Sequence, residues 1–145
     1  MSPSRSRLRR DDDGNALVEF TYLAVLLMVP LVYVLTTVFQ VQRAAFGVTE
    51  AARQAGRAYV TADSDAQGRA RAQEAADLAM RDQIPGFGRA QVEVSGRLTA
   101  QGSVTVRVRH EVVLPILGGI FDRVRPRIPV DATHVEVVDR FRELG

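Results

Sequence analysis

Cysteine and tryptophan are both absent from this 145-residue chain. Without cysteine there can be no disulfide framework, no thiol nucleophile and no thiolate-ligated zinc or iron–sulfur centre. Lysine is missing too, so all 19 basic residues are arginine; against 17 carboxylates they leave a net charge of only +2. That balance falls short of the basic stripe expected of a nucleic-acid binder, and no nucleic-acid partner is expected. Histidine occurs twice, as His110 and His134, on separate predicted strands, and a zinc site would need further ligands converging on them. Neither a Gly-x-Ser-x-Gly elbow, nor a phosphate-binding glycine loop, nor a His-Glu-x-x-His helix occurs. The expectation is a protein without catalytic activity, cofactor or metal, built as one domain or as one domain plus an anchor.

Charge is also absent from one continuous stretch, Phe20 to Phe39 (FTYLAVLLMVPLVYVLTTVF). A helix of about 20 residues spans about 30 Å, the thickness of a bilayer's hydrocarbon core. A soluble helix of this length normally carries a charged face, so Phe20 and Phe39 are taken as the boundaries of a transmembrane segment. Thr21, Thr36 and Thr37 can return their hydroxyls to the helix backbone. Ahead of the run, Arg5, Arg7, Arg9 and Arg10 hold the amino end in the cytoplasm by the positive-inside rule, which places the remainder outside the cell membrane. No Ala-x-Ala signal-peptidase site stands at the end of the apolar run, and helical periodicity continues past Phe39.

Glu19 stands at the edge of the apolar run, five residues after Gly14. A carboxylate there is costly unless it is paired or interfacial. The segment Gly14-Asn-Ala-Leu-Val-Glu19-Phe20, placed between an arginine-rich leader and an apolar helix, resembles the processing site of type IV pilin-like proteins. Its Glu-Phe pair resembles the tight-adherence (Tad/Flp) branch. With Leu23 to Tyr33 (LAVLLMVPLVY) and Thr49 to Tyr59 (TEAARQAGRAY), the first 60 or so residues are similar to TadE-like minor pilins, or pseudopilins, of high-GC Gram-positive bacteria. Pro30 lies further into the helix than the proline of many proteobacterial members.

The resemblance implies a prepilin cut by a prepilin peptidase between Gly14 and Asn15, leaving Glu19 as the fifth mature residue. Glu19 and Phe20 then serve assembly: the Glu19 carboxylate of one subunit meets the new ammonium group on Asn15 of another at the bilayer edge, where each charge alone is expensive. Other pilin subunits, the Tad membrane assembly platform and the lipid bilayer are the implied partners, with a cell-surface pilus as destination. The alternative is an unprocessed single-pass signal anchor, an envelope protein serving a secretion system as an accessory subunit.

Beyond the run, Val41, Ala45, Val48, Ala52, Ala55 and Tyr59 recur by alternating fours and threes, a heptad-like stripe. It predicts a buried helix face, packed either on its own domain or on another subunit. Thr61 to Gly68 reads as a loop, and Arg69 to Gln83 as a second helix ended by Pro85-Gly-Phe-Gly88. The loop partly matches a calcium-binding motif through Asp63, Asp65, Gln67, Gly68 and Glu74. Arg69 and Arg71 stand beside it, and the expectation is a helix cap by Asp63 or Asp65 instead. Period-two alternation then predicts two strands, Val92 to Leu98 and Val104 to Arg109, and a third over Ile128 to Phe141. Leu114 to Pro129 reads as an excursion whose Ile116, Leu117, Ile120 and Phe121 either cover the sheet or form a contact surface. The expected fold is α+β: leader 1–14, transmembrane and extended helix 15–60, and an extracytoplasmic domain 61–145 with a small antiparallel sheet of about three strands.

Overall fold

The computed structural model describes residues 9–114 and 126–139. Two helices precede three strands: α1 Arg9–Val60, α2 Asp65–Gln83, β1 Gln91–Ser95, β2 Ser103–Val113 and β3 Arg127–Val137. The strands form one antiparallel sheet in the order β1-β2-β3, which is the expected α+β architecture. The chain forms two compact units, one ending at Val38 and the other beginning at Phe39. The expected roles of Ile116, Leu117, Ile120, Phe121 and Phe141 fall outside the described residues.

In the first unit, the helical hydroxyls behave as serine and threonine do within helices. Thr21 donates to the Leu17 carbonyl at 2.8 Å, and Thr36 Oγ1 lies 3.0 and 2.9 Å from those of Val32 and Tyr33. Thr37 departs from expectation, its buried Oγ1 having no hydrogen-bond partner among the described residues. Pro30 is accommodated inside α1.

In the second unit, the later part of α1 and the whole of α2 contribute to one core with the sheet. Val48, Ala51, Ala52, Ala55 and Tyr59 of α1 meet Ala72, Ala76, Ala79 and Met80 of α2 and Val104, Val106 and Val108 of β2. Its stripe therefore packs on its own domain. The face is centred differently from the expected one: Ala44 and Ala51 are buried while Ala45 is exposed. Adjacent alanines are indistinguishable by composition, so periodicity alone could not choose between Ala44 and Ala45.

Helix α2 starts four residues earlier than expected, because Ser64 is its N-cap, extended at φ −148° and ψ 159°. Its hydroxyl accepts the Gln67 N–H at 3.3 Å, and the Gln67 side chain accepts the Asp63 N–H at 2.8 Å. This reciprocal arrangement satisfies donors at the helix start and replaces the expected cap by Asp63 or Asp65. A Cβ at Gly68 would lie 2.9 Å from the Tyr59 ring, so only glycine lets the first turn of α2 rest there. The predicted first strand ends at Ser95, where Gly96 turns at φ +108° against the Ser103 carbonyl. Leu98 is buried in the core from the connecting loop instead.

Candidate functional site

Gly14, Asn15, Glu19, Phe20 and Phe39 all lie on α1, whereas Arg5 and Arg7 of the expected leader fall outside the described residues. The helix begins at Arg9 and runs through Gly14 and Asn15, upstream of the expected junction between leader and helix. Asn15 and Glu19, four apart, share one helix face. Both are exposed, and among the described residues Glu19 has no ion-pair partner. From there the apolar side chains stand uncovered: Phe20 is 70%, Leu27 72% and Phe39 62% exposed. α1 is long and apolar enough to cross a membrane, with none of its most apolar stretch buried among the described residues. The core helix of a soluble protein would bury that surface; here the uncovered stretch has the properties of a membrane anchor.

The loop read as a partial calcium motif is tied together by protein groups. Asp65 Oδ1 accepts the Tyr59 hydroxyl at 3.0 Å and the Leu98 N–H at 3.2 Å. The Leu98 bond, followed by the Tyr59 bond, holds the Asp65 carboxyl below its usual range. Burial, reinforced by the Asp65 contact, pushes the Tyr59 phenol up. Glu74 lies on α2, and among the described residues no three histidine or acidic side chains gather as a metal site. Sequence reasoning missed this tie between three segments, although the Ser64-x-x-Gln67 spacing was a visible signal for the cap beneath it.

The two histidines are not brought together. His110 pairs in register with Val130, and His134 with Val106, toward opposite ends of β2. His110 packs edge-on against Phe87 at 5.2 Å between ring centroids. Burial lowers its pKa, partly opposed by the neighbouring Glu111. His134 Nε2 lies 2.9 Å from Glu136 Oε2, beside Gly56 of α1, where a Cβ would come within 3.2 Å of the His134 ring.

Charge on the sheet's outer face is matched pair by pair. Arg107 meets Asp131 at 2.8 Å, Arg109 meets Glu93 at 3.7 Å, and Arg127 meets Glu111 at 2.9 Å. Such exposed pairs contribute little stability each. Between α2 and β1 lies a groove of about 500 Å³ lined by Arg69, Ala70, Gln73, Arg89, Val92 and Val94.

Fold and exposed surface together define a chain whose amino-terminal helix is suited to membrane anchoring and is followed by a small α+β domain. Comparison with protein-family models, curated proteins and solved structures returns no match.

Proposed function

We propose that this chain is a TadE-like prepilin: a structural, non-catalytic minor pilin of a Tad/Flp-type pilus or a related secretion assembly. The observation that carries the reading is Glu19, a carboxylate at the mouth of an uncovered apolar helix, five residues after Gly14. In this reading a prepilin peptidase cuts after Gly14, the arginine-rich leader stays in the cytoplasm and the α+β domain faces outward. Glu19 then receives the Asn15 ammonium group of a neighbouring subunit, a pairing that lowers the cost of both charges at the bilayer edge. Phe20 follows it into the apolar phase, and the assembly platform draws on the same helix.

One observation favours a second reading, the unprocessed signal anchor: α1 passes through Gly14 without a break, leaving no extended backbone at the junction. The mature amino terminus separates the two. Mass spectrometry of the protein from a host expressing the pilus system is expected to show a chain beginning at Asn15, and Gly14→Arg is expected to abolish that species. A chain still beginning at Met1 in that host rejects the prepilin reading and leaves the anchor.

A further inference from the structure

The edge of β1 away from β2, unpaired among the described residues, has no role in the pilin reading and does not depend on it. The phase of the sheet's hydrogen bonding follows from both ends of the β2–β3 pair. Leu114 N–H donates to the Pro126 carbonyl at 3.1 Å, and Val138 N–H to the Gly102 carbonyl at 2.9 Å. Even-numbered residues of β2 and β3 therefore exchange main-chain hydrogen bonds, since antiparallel partners alternate between bonded and non-bonded pairs. The odd-numbered residues of β2 turn toward β1, where Arg109, Arg107 and Thr105 meet Gln91, Glu93 and Ser95. Val92 and Val94 are left with their N–H and C=O groups on the far edge.

Two independent observations agree with this phase. Ala90, two residues before Val92, directs its main chain to α2: its N–H donates to Asp77 Oδ1 at 2.7 Å and its carbonyl accepts from Gln73 Nε2 at 3.0 Å. Pro129, which has no N–H, falls at an odd position of β3, where it removes nothing from the ladder. Pro129 also blunts the outer edge of β3 as a template for pairing. The edge of β1 carries no proline, and among the described residues no side chain of α2 hydrogen-bonds to it beyond Ala90.

That edge lines the groove beside α2. Val92 and Val94 are half-buried, and Arg69 and Arg89 are exposed. The outer-face arginines Arg107, Arg109 and Arg127 each have a carboxylate within 4 Å, whereas among the described residues Arg69 and Arg89 have none. Arg69 feels Asp65 only at longer range, and the nearby Asp77 is engaged by Ala90 and Gln73. The groove thus combines strand hydrogen-bonding groups that are unpaired among the described residues, apolar side-chain contacts and two cations with no described carboxylate within 4 Å. It has no aromatic platform for stacking bases.

We propose that the groove is a docking site for an extended acidic peptide segment of a partner protein, which adds as a fourth strand beside β1. Main-chain bonds at Val92 and Val94 supply affinity, and Arg69 and Arg89 select carboxylates near the ends of the segment.

The test uses the full chain in detergent micelles and fluorescence-labelled peptides of about eight residues, long enough to cover β1. The probe alternates valine and threonine with glutamate at both ends; one control carries arginine at the ends and another proline at the centre. The glutamate probe is expected to bind at least about tenfold more tightly than either control. Arg69→Glu with Arg89→Glu is expected to reverse the preference between glutamate and arginine ends. Val92→Pro removes an edge donor that the β1–β2 ladder does not use, and is expected to weaken binding of every probe. Should that variant fail to fold by circular dichroism, the charge reversal decides alone. Equal binding of the two charged probes, indifference to the double substitution, or no saturable binding up to about 1 mM overturns the proposal.

Discussion

Asp65 illustrates how one side chain answers a question that its neighbours in sequence leave open. Spaced as the third position of a calcium loop, it instead joins Tyr59 of α1 to the loop residue Leu98 through a single carboxylate oxygen. Because its folded pKa lies below the ordinary 3.8, the folded state binds this proton less readily than the unfolded chain. Its stabilising contribution is complete above pH 3.8 and is lost as pH falls through the lower folded value. Asp65→Asn should therefore flatten the acid limb of thermal stability, read by circular dichroism across pH. The same sign applies to His110, whose folded pKa lies below 6.5 because burial disfavours the imidazolium. Stability should decline as pH drops from above 6.5 toward that lower value, and His110→Gln should remove this component of the slope. Neither effect was legible in sequence, since the Leu98 bond to Asp65 and the burial of His110 both arise only from tertiary packing.

At the scale of elements, α1 serves two different environments in one unbroken helix. Its first stretch leaves large apolar side chains uncovered, whereas its later stretch buries mostly small ones, with Val48 and Tyr59 the larger exceptions, against α2 and the sheet. Small residues permit close approach: Gly47 lies against Met80 and Gly56 against His134 and Glu136. Gly56→Leu should overpack the α1–β3 contact and cost about 1–3 kcal/mol, measured by urea unfolding of the full chain in micelles. Met80→Ala, at a fully buried position, should cost about 2–5 kcal/mol by leaving a cavity. The strands were recognisable from alternation alone, with Val104, Val106 and Val108 inward and Thr105, Arg107 and Arg109 outward. The start of α2 was not, because the acidic residues flanking Ser64 were equally plausible caps and only hydrogen-bond geometry distinguishes them.

At the scale of the whole molecule, every core residue among the described residues lies beyond Val38. A chain starting at Phe39 should lose the helical circular dichroism signal of the removed part of α1 but keep that of the remaining helices and sheet, and should still unfold cooperatively. The full chain should fractionate with membranes. Leu27→Arg together with Val34→Arg, each costing about 2.5–3.5 kcal/mol at the centre of a membrane helix, should shift it out of the carbonate-resistant fraction. Persistence in that fraction would count against a bilayer span built on α1.

Run length and periodicity act along the chain itself, so the sequence by itself determined the long uncharged helix, the order of helices and strands, and the inward-facing valines of β2. The position of Glu19 relative to Gly14 belongs to the same class of information, because it is only a spacing. Tertiary structure decided which of two adjacent alanines faces inward, that the α1 stripe packs on its own domain, and that Asp65 ties α1 to a loop. It also decided which main-chain groups β1 leaves open beside Arg69 and Arg89. Each of these depends on contacts or hydrogen bonds between segments far apart in sequence, where local propensity sets what can form and packing selects what does.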